Sequence, residues 1–266
     1  MNTSPTPATE IRAEREGRVL ILSLDGPQSR NSITRPAYEA IRAHLNDASN
    51  DAQIGAVVLV GLDGYFSSGG NIAYLQQSAK GTMAQAKQGT DALNAMILAV
   101  RTCRKPVIAA VEGGAAGAGL SLALACDMVL AAEGAKFIAA YVKIGLTPDG
   151  GLTHFLSAGL PRQLVSEMCL TGAPVMAQRL HDLGMVNSLH PAGKVLAAAK
   201  ALATKLADGP SEAMAVIKDE IKAALSNDLT TQLDLEAQGI NNARFGREAA
   251  EGLTAFLEKR KPDFRR

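Results

Sequence analysis

The sequence predicts an α/β fold with parallel strands at its core and a helical C-terminal region. Two observations carry this expectation. Between residues 19 and 131, short apolar runs alternate with segments of helical periodicity, the pattern of strands joined by crossover helices. After about Pro161 the strand signals thin out and helical segments follow one another. Composition agrees: the 266 residues are 47% hydrophobic, 20% charged and 4% aromatic. At ~100–200 residues per domain this is one large domain or a domain with an appendage. A chain of this size buries enough surface to need no disulfide or metal staple.

Met1 to Glu10 reads MNTSPTPATE, polar with two prolines and no apolar run, so residues 1–10 are expected as a disordered tail and not a signal peptide. Val19–Leu24 is a β-branched strand ended by Asp25-Gly26-Pro27. Ser32 to Pro36 opens a helix through about Ser49, with Ala37, Ile41 and Leu45 on one face. Ala56–Val60 is a continuous apolar run, which suits a strand buried on both faces. A helix over 83–102, a strand at Val107–Val111, a helix over Ala118–Cys126 and a strand at Met128–Ala131 continue the alternation. Helices are then expected over 161–170, 175–183, 192–207, 210–225 and 229–241, with one short strand near Met185–Leu189. Asp208-Gly209-Pro210 breaks the chain, so a soft boundary separates a core of residues 11–205 from a C-terminal helical region, 206–266. Met168, Met176 and Met214 fall at helical spacing and read as core packing.

Charge and cysteine usage exclude several classes. Lys plus Arg number 27 and Asp plus Glu 26, a net charge of +1, without the basic excess of a nucleic-acid binder. Cys103, Cys126 and Cys169 are odd in number, widely spaced and in apolar surroundings, which encodes neither a disulfide framework nor a metal site and fits a reducing compartment. The longest uncharged apolar stretch, Gly113–Cys126, is shorter than the ~20 residues of a membrane span and is broken by glycines. A cytoplasmic protein without nucleic-acid or membrane partners is expected.

Three glycine-rich loops each follow an expected strand: Gly64–Ile72, Glu112–Gly119 and Thr147–Gly151. Paired glycines let the backbone approach a ligand closely, and N–H groups at a helix start favour negative charge. Each loop alone reads as a tight connection; three in one α/β core point to a site built from backbone. A dinucleotide fingerprint fails, because the third small position counted from Gly117 and Gly119 falls on bulky Leu122. Ser121, with His154 and Asp149 downstream, invites a serine-hydrolase reading, yet Gly119-Leu120-Ser121-Leu122-Ala123 lacks the second glycine of the nucleophile elbow.

Taken together, Gln28–Ile33, Phe66–Ile72, Lys105–Gly113, Ala123–Asp127 and the tail Phe256–Pro262 resemble the crotonase (enoyl-CoA hydratase/isomerase) superfamily over roughly residues 12–264. Through Ala135–Asp149 the chain is most similar to the ring-1,2-epoxyphenylacetyl-CoA isomerase and oxepin-CoA hydrolase group. The resemblance implies a ClpP-like ββα superhelix with a C-terminal helical region for oligomerisation and CoA capping, assembled as trimers or dimers of trimers. It implies an acyl-CoA substrate and no separate cofactor, coenzyme A being part of the substrate. Backbone N–H groups at Ser68 and Ala118 would hold the thioester oxygen as it becomes an enolate, worth several kcal/mol. Ser68 stands where alanine is usual, and Ala118 where glycine is common. Gly69, Gly70, Asn71, Ile72, Gly114, Gly117 and Tyr141 would line the substrate cleft, Arg30 would border the CoA, and Phe256 and Lys259 would reach a CoA held by the adjacent subunit. Lys259 also reads as part of the solvated charge run from Glu258 to Lys261.

Hydratases of this family use two glutamates, and those positions here hold Ser121 and Tyr141, neither a carboxylate. Asp149 matches the aspartate of the isomerase group and stands either as the single acid/base of a proton shift or as a cap for the helix opening at Gly150. Asn94 fills the position of the histidine of aromatic-acyl-CoA dehalogenases, and the chain has no Trp, which counts against dehalogenation. The expected activity is isomerase-type proton transfer by Asp149 on an unsaturated acyl-CoA, with hydration or a catalytically weak acyl-CoA binder as alternatives.

Overall fold

The computed structural model describes residues 8–265. The chain opens with strands β1 (Glu10–Glu16) and β2 (Val19–Asp25), helix α1 (Arg35–Asn50), strand β3 (Ala56–Gly61) and helices α2 (Ile72–Ser78) and α3 (Met83–Thr102). Next come β4 (Val107–Val111), β5 (Gly114–Ala116), α4 (Ala118–Ala125), β6 (Met128–Ala132) and β7 (Lys136–Ile138). A 3-10 turn at Ala140–Ile144 leads to α5 (Leu152–Gly159), α6 (Arg162–Thr171), β8 (Val175–Met176), α7 (Ala177–Asp182), β9 (Ser188–His190) and α8 (Val195–Ala207). Three helices close the chain: α9 (Ser211–Ala224), α10 (Leu229–Arg244) and α11 (Arg247–Leu257).

The continuous apolar runs become the middle of a six-stranded sheet ordered β1-β2-β3-β4-β6-β9, in which every residue of β3 and β4 is buried. From β2 to β9 the neighbours are parallel; β1 pairs antiparallel with β2 at the edge. A second strip runs alongside it. Strands β5, β7 and β8 form a small sheet, and single bridges Ser67↔Ala115 and Ile33↔Gly70 extend its line through the first glycine-rich loop. Each turn of the chain thus lays one strand in the large sheet and one segment in the strip, then turns into a helix: β3, Phe66–Gly70 and α2; then β4, β5 and α4. This is the expected crotonase spiral, and the strip is where two of the three glycine-rich loops meet.

Some expectations are corrected. Thr9 is buried and its hydroxyl donates to the Ser32 carbonyl, and Glu10 already pairs with Asp25, so order begins inside the expected 1–10 tail; residues 1–7 lie outside the described residues. The helix expected over 175–183 divides into β8 and α7, and the strand near 185–189 sits at β9. Helix α8 runs through position 205 and ends at Ala207, just before the Asp208–Pro210 break.

Two carboxylates tie the helices down. Glu112 accepts from the N–H groups of Gly193 and Val195 at 2.9 and 3.2 Å, capping the start of α8. Buried Glu248 of α11 accepts from Glu212 and Ala213, both at 3.0 Å, at the start of α9. Lys218 of α9 reaches back to the core, pairing with Asp127 and donating to the Lys105 carbonyl at 2.7 Å. Among the described residues no helix is long and apolar enough to cross a membrane.

Candidate active site

The first loop is fixed from both sides. Ser67 is fully buried and its hydroxyl donates to the Asn31 carbonyl at 2.8 Å, while the Asn31 side chain donates to the carbonyls of Leu62 and Tyr65. Asn31 adopts a left-handed conformation (φ 57°), one that asparagine tolerates. The Ser68 hydroxyl donates to Ser29 (2.7 Å) and its N–H donates to the Arg30 carbonyl (2.9 Å). The Ser68 N–H is therefore already engaged, which corrects the expectation that it faces the substrate. The N–H of Gly70, two residues on, has no protein acceptor among the described residues.

Between them, Gly69 has φ +92°. A Cβ there would lie 2.6 Å from the Ala116 carbonyl oxygen and 3.1 Å from the Ala118 nitrogen, so only glycine brings the first loop this close to the start of α4. Ala118 is the first residue of α4, whose cap Gly117 (φ +51°) offers no side chain, and the Ala118 N–H has no intrahelical acceptor. Helix α4 is buried along its whole length, which keeps its N-terminal dipole out of water. Gly70 and Ala118 thus present two uncommitted N–H groups on adjoining stretches of backbone.

The third group comes from the loop after β7. The 3-10 turn carries Tyr141, Gly145 (φ +72°) reverses the chain, and Leu146 N–H returns to the Tyr141 carbonyl at 3.0 Å. This folding back sets Asp149 beside Tyr141, whose hydroxyl donates to Asp149 Oδ1 at 2.8 Å. Ser121 donates to the Asp149 main-chain carbonyl at 2.9 Å, and its oxygen lies 3.3 Å from the Tyr141 hydroxyl. Burial pushes the Asp149 carboxyl above its usual range, partly offset by the Tyr141 hydrogen bond. Burial, with the Asp149 charge nearby, also pushes the Tyr141 phenol far up, and the Tyr38 phenol of α1 is raised by the same two causes. Helix α5 starts without a side-chain cap, so the Asp149 carboxylate is not serving as one.

The remaining candidates are placed as follows. Asn71 caps α2, accepting from Tyr74 N–H at 3.0 Å and donating to Ser32, while Ile72 is half exposed. Gly114 lets β5 sit against β7, where a Cβ would meet the Lys136 carbonyl at 2.5 Å. Arg30 is exposed, with its guanidinium 5.6 Å from the Tyr65 ring and no ion pair among the described residues. Phe256 and Lys259 face solvent at the end of α11, which packs on α10. Exposed His154 stacks edge-on with Phe155 and does not bond Ser121, whose proton goes to a main-chain carbonyl; no hydrolase triad forms.

A family model described as enoyl-CoA hydratase/isomerase matches residues 14–266. The chain belongs to that family. Among its relatives, the 2,3-dehydroadipyl-CoA hydratase of Escherichia coli K12 is 32% identical over 97% of this chain and 99% of its own length. The 1,2-epoxyphenylacetyl-CoA isomerase of the same organism is 33% identical, covering 96% of this chain and 97% of its own. A crystal structure of an enoyl-CoA hydratase from Polaromonas sp. JS666 superposes with a TM-score of 0.93 at 43% identity, covering 95% of this chain and 98% of that one. This crotonase thus resembles a hydratase and an isomerase about equally, and overall likeness does not choose between them.

Sequence reasoning missed that the Ser68 N–H is taken by the Arg30 carbonyl while the Gly70 N–H is left without an acceptor among the described residues, because that pairing is a tertiary contact residue type does not announce. It also missed that Ser121 and Tyr141 converge on Asp149. The signal was present, since all three were singled out separately, but the Gly145 reversal that joins them was not read.

Proposed function

We propose that this crotonase isomerises an unsaturated acyl-CoA, with Asp149 as its single acid/base group and the N–H groups of Gly70 and Ala118 as oxyanion donors. The observation that carries this reading is that the two positions where hydratases hold glutamates present hydroxyls, and both hydroxyls engage one aspartate. Adding water across a double bond calls for an acid and a base on one face; a proton shift needs one carboxylate that removes a proton and returns it elsewhere. With a 3-enoyl thioester, the Asp149 carboxylate takes a proton from the α-carbon and the electron pair moves onto the thioester oxygen, giving a dienolate. The same carboxyl then protonates the γ-carbon, the double bond settles between the α- and β-carbons, and Asp149 is an anion again. Negative charge on oxygen is met by two N–H groups and by the dipole of the buried helix α4. A carboxyl held above its ordinary range is better matched to taking and returning a proton near neutrality.

Arg30 and the neighbouring subunit's copies of Phe256 and Lys259 are proposed to hold the CoA, in a trimer or dimer of trimers. The test is Asp149→Asn. Deuterium wash-in at the α-carbon of phenylacetyl-CoA and conversion of trans-3-hexenoyl-CoA are expected to fall by roughly 10³-fold, within the ~10²–10⁴ range for an acid/base group, while calorimetric binding of the thioester persists. Undiminished exchange in the variant rejects the assignment. Water addition to trans-2-enoyl-CoAs without any double-bond migration would make the enzyme a hydratase, and binding without either reaction a non-catalytic binder.

A further inference from the structure

We infer that Tyr141 is a positioning residue for Asp149, a phenol that replaces a carboxylate in order to aim and bias the one that remains. The inference deepens the acid/base reading above and rests on it. The proton directions follow from the distances. Ser121 directs its proton to the Asp149 main-chain carbonyl at 2.9 Å, so its oxygen is left as an acceptor. The single Tyr141 proton then has two choices, the Ser121 oxygen at 3.3 Å or the carboxylate oxygen Oδ1 at 2.8 Å. The nearer acceptor also carries charge, and a charge-assisted bond is about twice as strong as a neutral one. Tyr141 therefore donates to Oδ1, and Oδ2 is the oxygen left to meet a substrate proton.

The ring is held in place as well. It is buried, and its Cζ lies 3.9 Å from where a Cβ of Gly117 would stand, under the loop that leads to the Ala118 donor. Tyr141 thus bridges the backbone that receives negative charge and the carboxylate that moves the proton, and a rigid bridge fixes the distance between them. The groups around the carboxylate are Tyr141 on the 3-10 turn, Ser121 on α4 and, at longer range, Tyr38 on α1, itself coupled to Tyr74 on α2. No Lys, Arg or His side chain among the described residues hydrogen-bonds to Asp149, and the phenol is the only side-chain donor to its carboxylate among them. A hydrogen bond to the ionised form lowers a carboxyl pKa, so the Tyr141 bond opposes the upward push of burial on Asp149.

The experiment compares Tyr141→Phe with 3-fluorotyrosine placed at 141, a more acidic phenol and therefore a stronger donor. The rate of deuterium wash-in to phenylacetyl-CoA is followed against pH. The phenylalanine variant is expected to lose roughly tenfold or more in the saturated rate, with the half-saturating thioester concentration changed less than about twofold. Its acid limb moves to higher pH, and that of the fluorotyrosine protein to lower pH. Infrared difference spectra against Asp149→Asn titrate the carboxyl directly and must shift in the same two directions, a readout that does not depend on turnover. Acid limbs and infrared titrations that stay put in both proteins overturn the positioning role while leaving Asp149 as acid/base. Full exchange by Asp149→Asn overturns the acid/base reading itself, and the infrared shifts still report whether the bond exists.

Discussion

Gly69 brings two loops together because it has no side chain. At φ +92° any other residue is strained, and a Cβ would run into the Ala116 carbonyl oxygen at 2.6 Å, an atom of backbone that cannot swing away. Gly69→Ala is expected to destabilise the fold by roughly 2 kcal/mol, strain and overlap together, as read by urea unfolding. It is also expected to cut α-carbon exchange at least as far as losing one oxyanion donor does, about 10²-fold, because the Gly70 and Ala118 N–H groups part company. Asp149 pulls the other way. Its carboxyl is raised above the usual 3.8 in the folded chain, so the native state holds the proton more tightly than the unfolded chain. Stability therefore falls as pH rises from about 4 through the raised native value, and above it the buried anion is a standing cost. Asp149→Asn removes the charge and keeps an oxygen to accept from Tyr141. Melting curves are expected to place the variant above the parent protein at pH 7, with the gap closing toward pH 4; an unchanged or lower melting point at pH 7 contradicts the burial argument.

Elements differ in how plainly the sequence announced them. Strands β3 and β4 were legible because burial on both faces leaves only apolar residues to read, and α3 because its apolar positions recur over 20 residues. Strand β1 was not: EIRAERE is an exposed edge whose place depends on pairing with β2 rather than on an apolar face. Of the site, the helix carrying Ala118 and the loop carrying Asp149 were legible, whereas the engagement of the Ser68 N–H by the distant Arg30 carbonyl was not. Long-range pairs such as Lys218 with Asp127, 91 residues apart, leave no local trace. That pair latches α9 to the core: both heads are mostly buried, and Asp127 also accepts from Val107 N–H at 2.8 Å. Lys218→Ala strands the carboxylate, with an expected loss of roughly 2–3 kcal/mol, reduced from the full buried-pair range by the solvent each head keeps. Hydrogen exchange is expected to show α9 loosened ahead of the large sheet.

At the scale of the molecule the C-terminal helices leave large apolar side chains exposed. Helices α9 to α11 surround a groove of about 790 Å³ lined by Val216, Leu235, Ile240 and Leu253, and Phe245 and Phe256 stand 89% and 81% exposed. Burying such side chains returns about 25 cal/mol per Å² of apolar surface. In the trimer proposed above these side chains would gain a partner, and Phe256 and Lys259 would lie near a neighbour's CoA. Assembly and CoA binding are then linked: what weakens one weakens the other. Light scattering is expected to give three or six times the chain mass for the parent protein, and a smaller species for the pair Ile240→Glu and Phe245→Glu. The dispersed protein, lacking the neighbour's contacts, should bind full-length acyl-CoA less well, while its affinity for the corresponding acyl-pantetheine, which has no nucleotide to reach α11, changes little. Equal losses for both thioesters would mean that α10 and α11 support the fold of their own chain and not the neighbour's ligand.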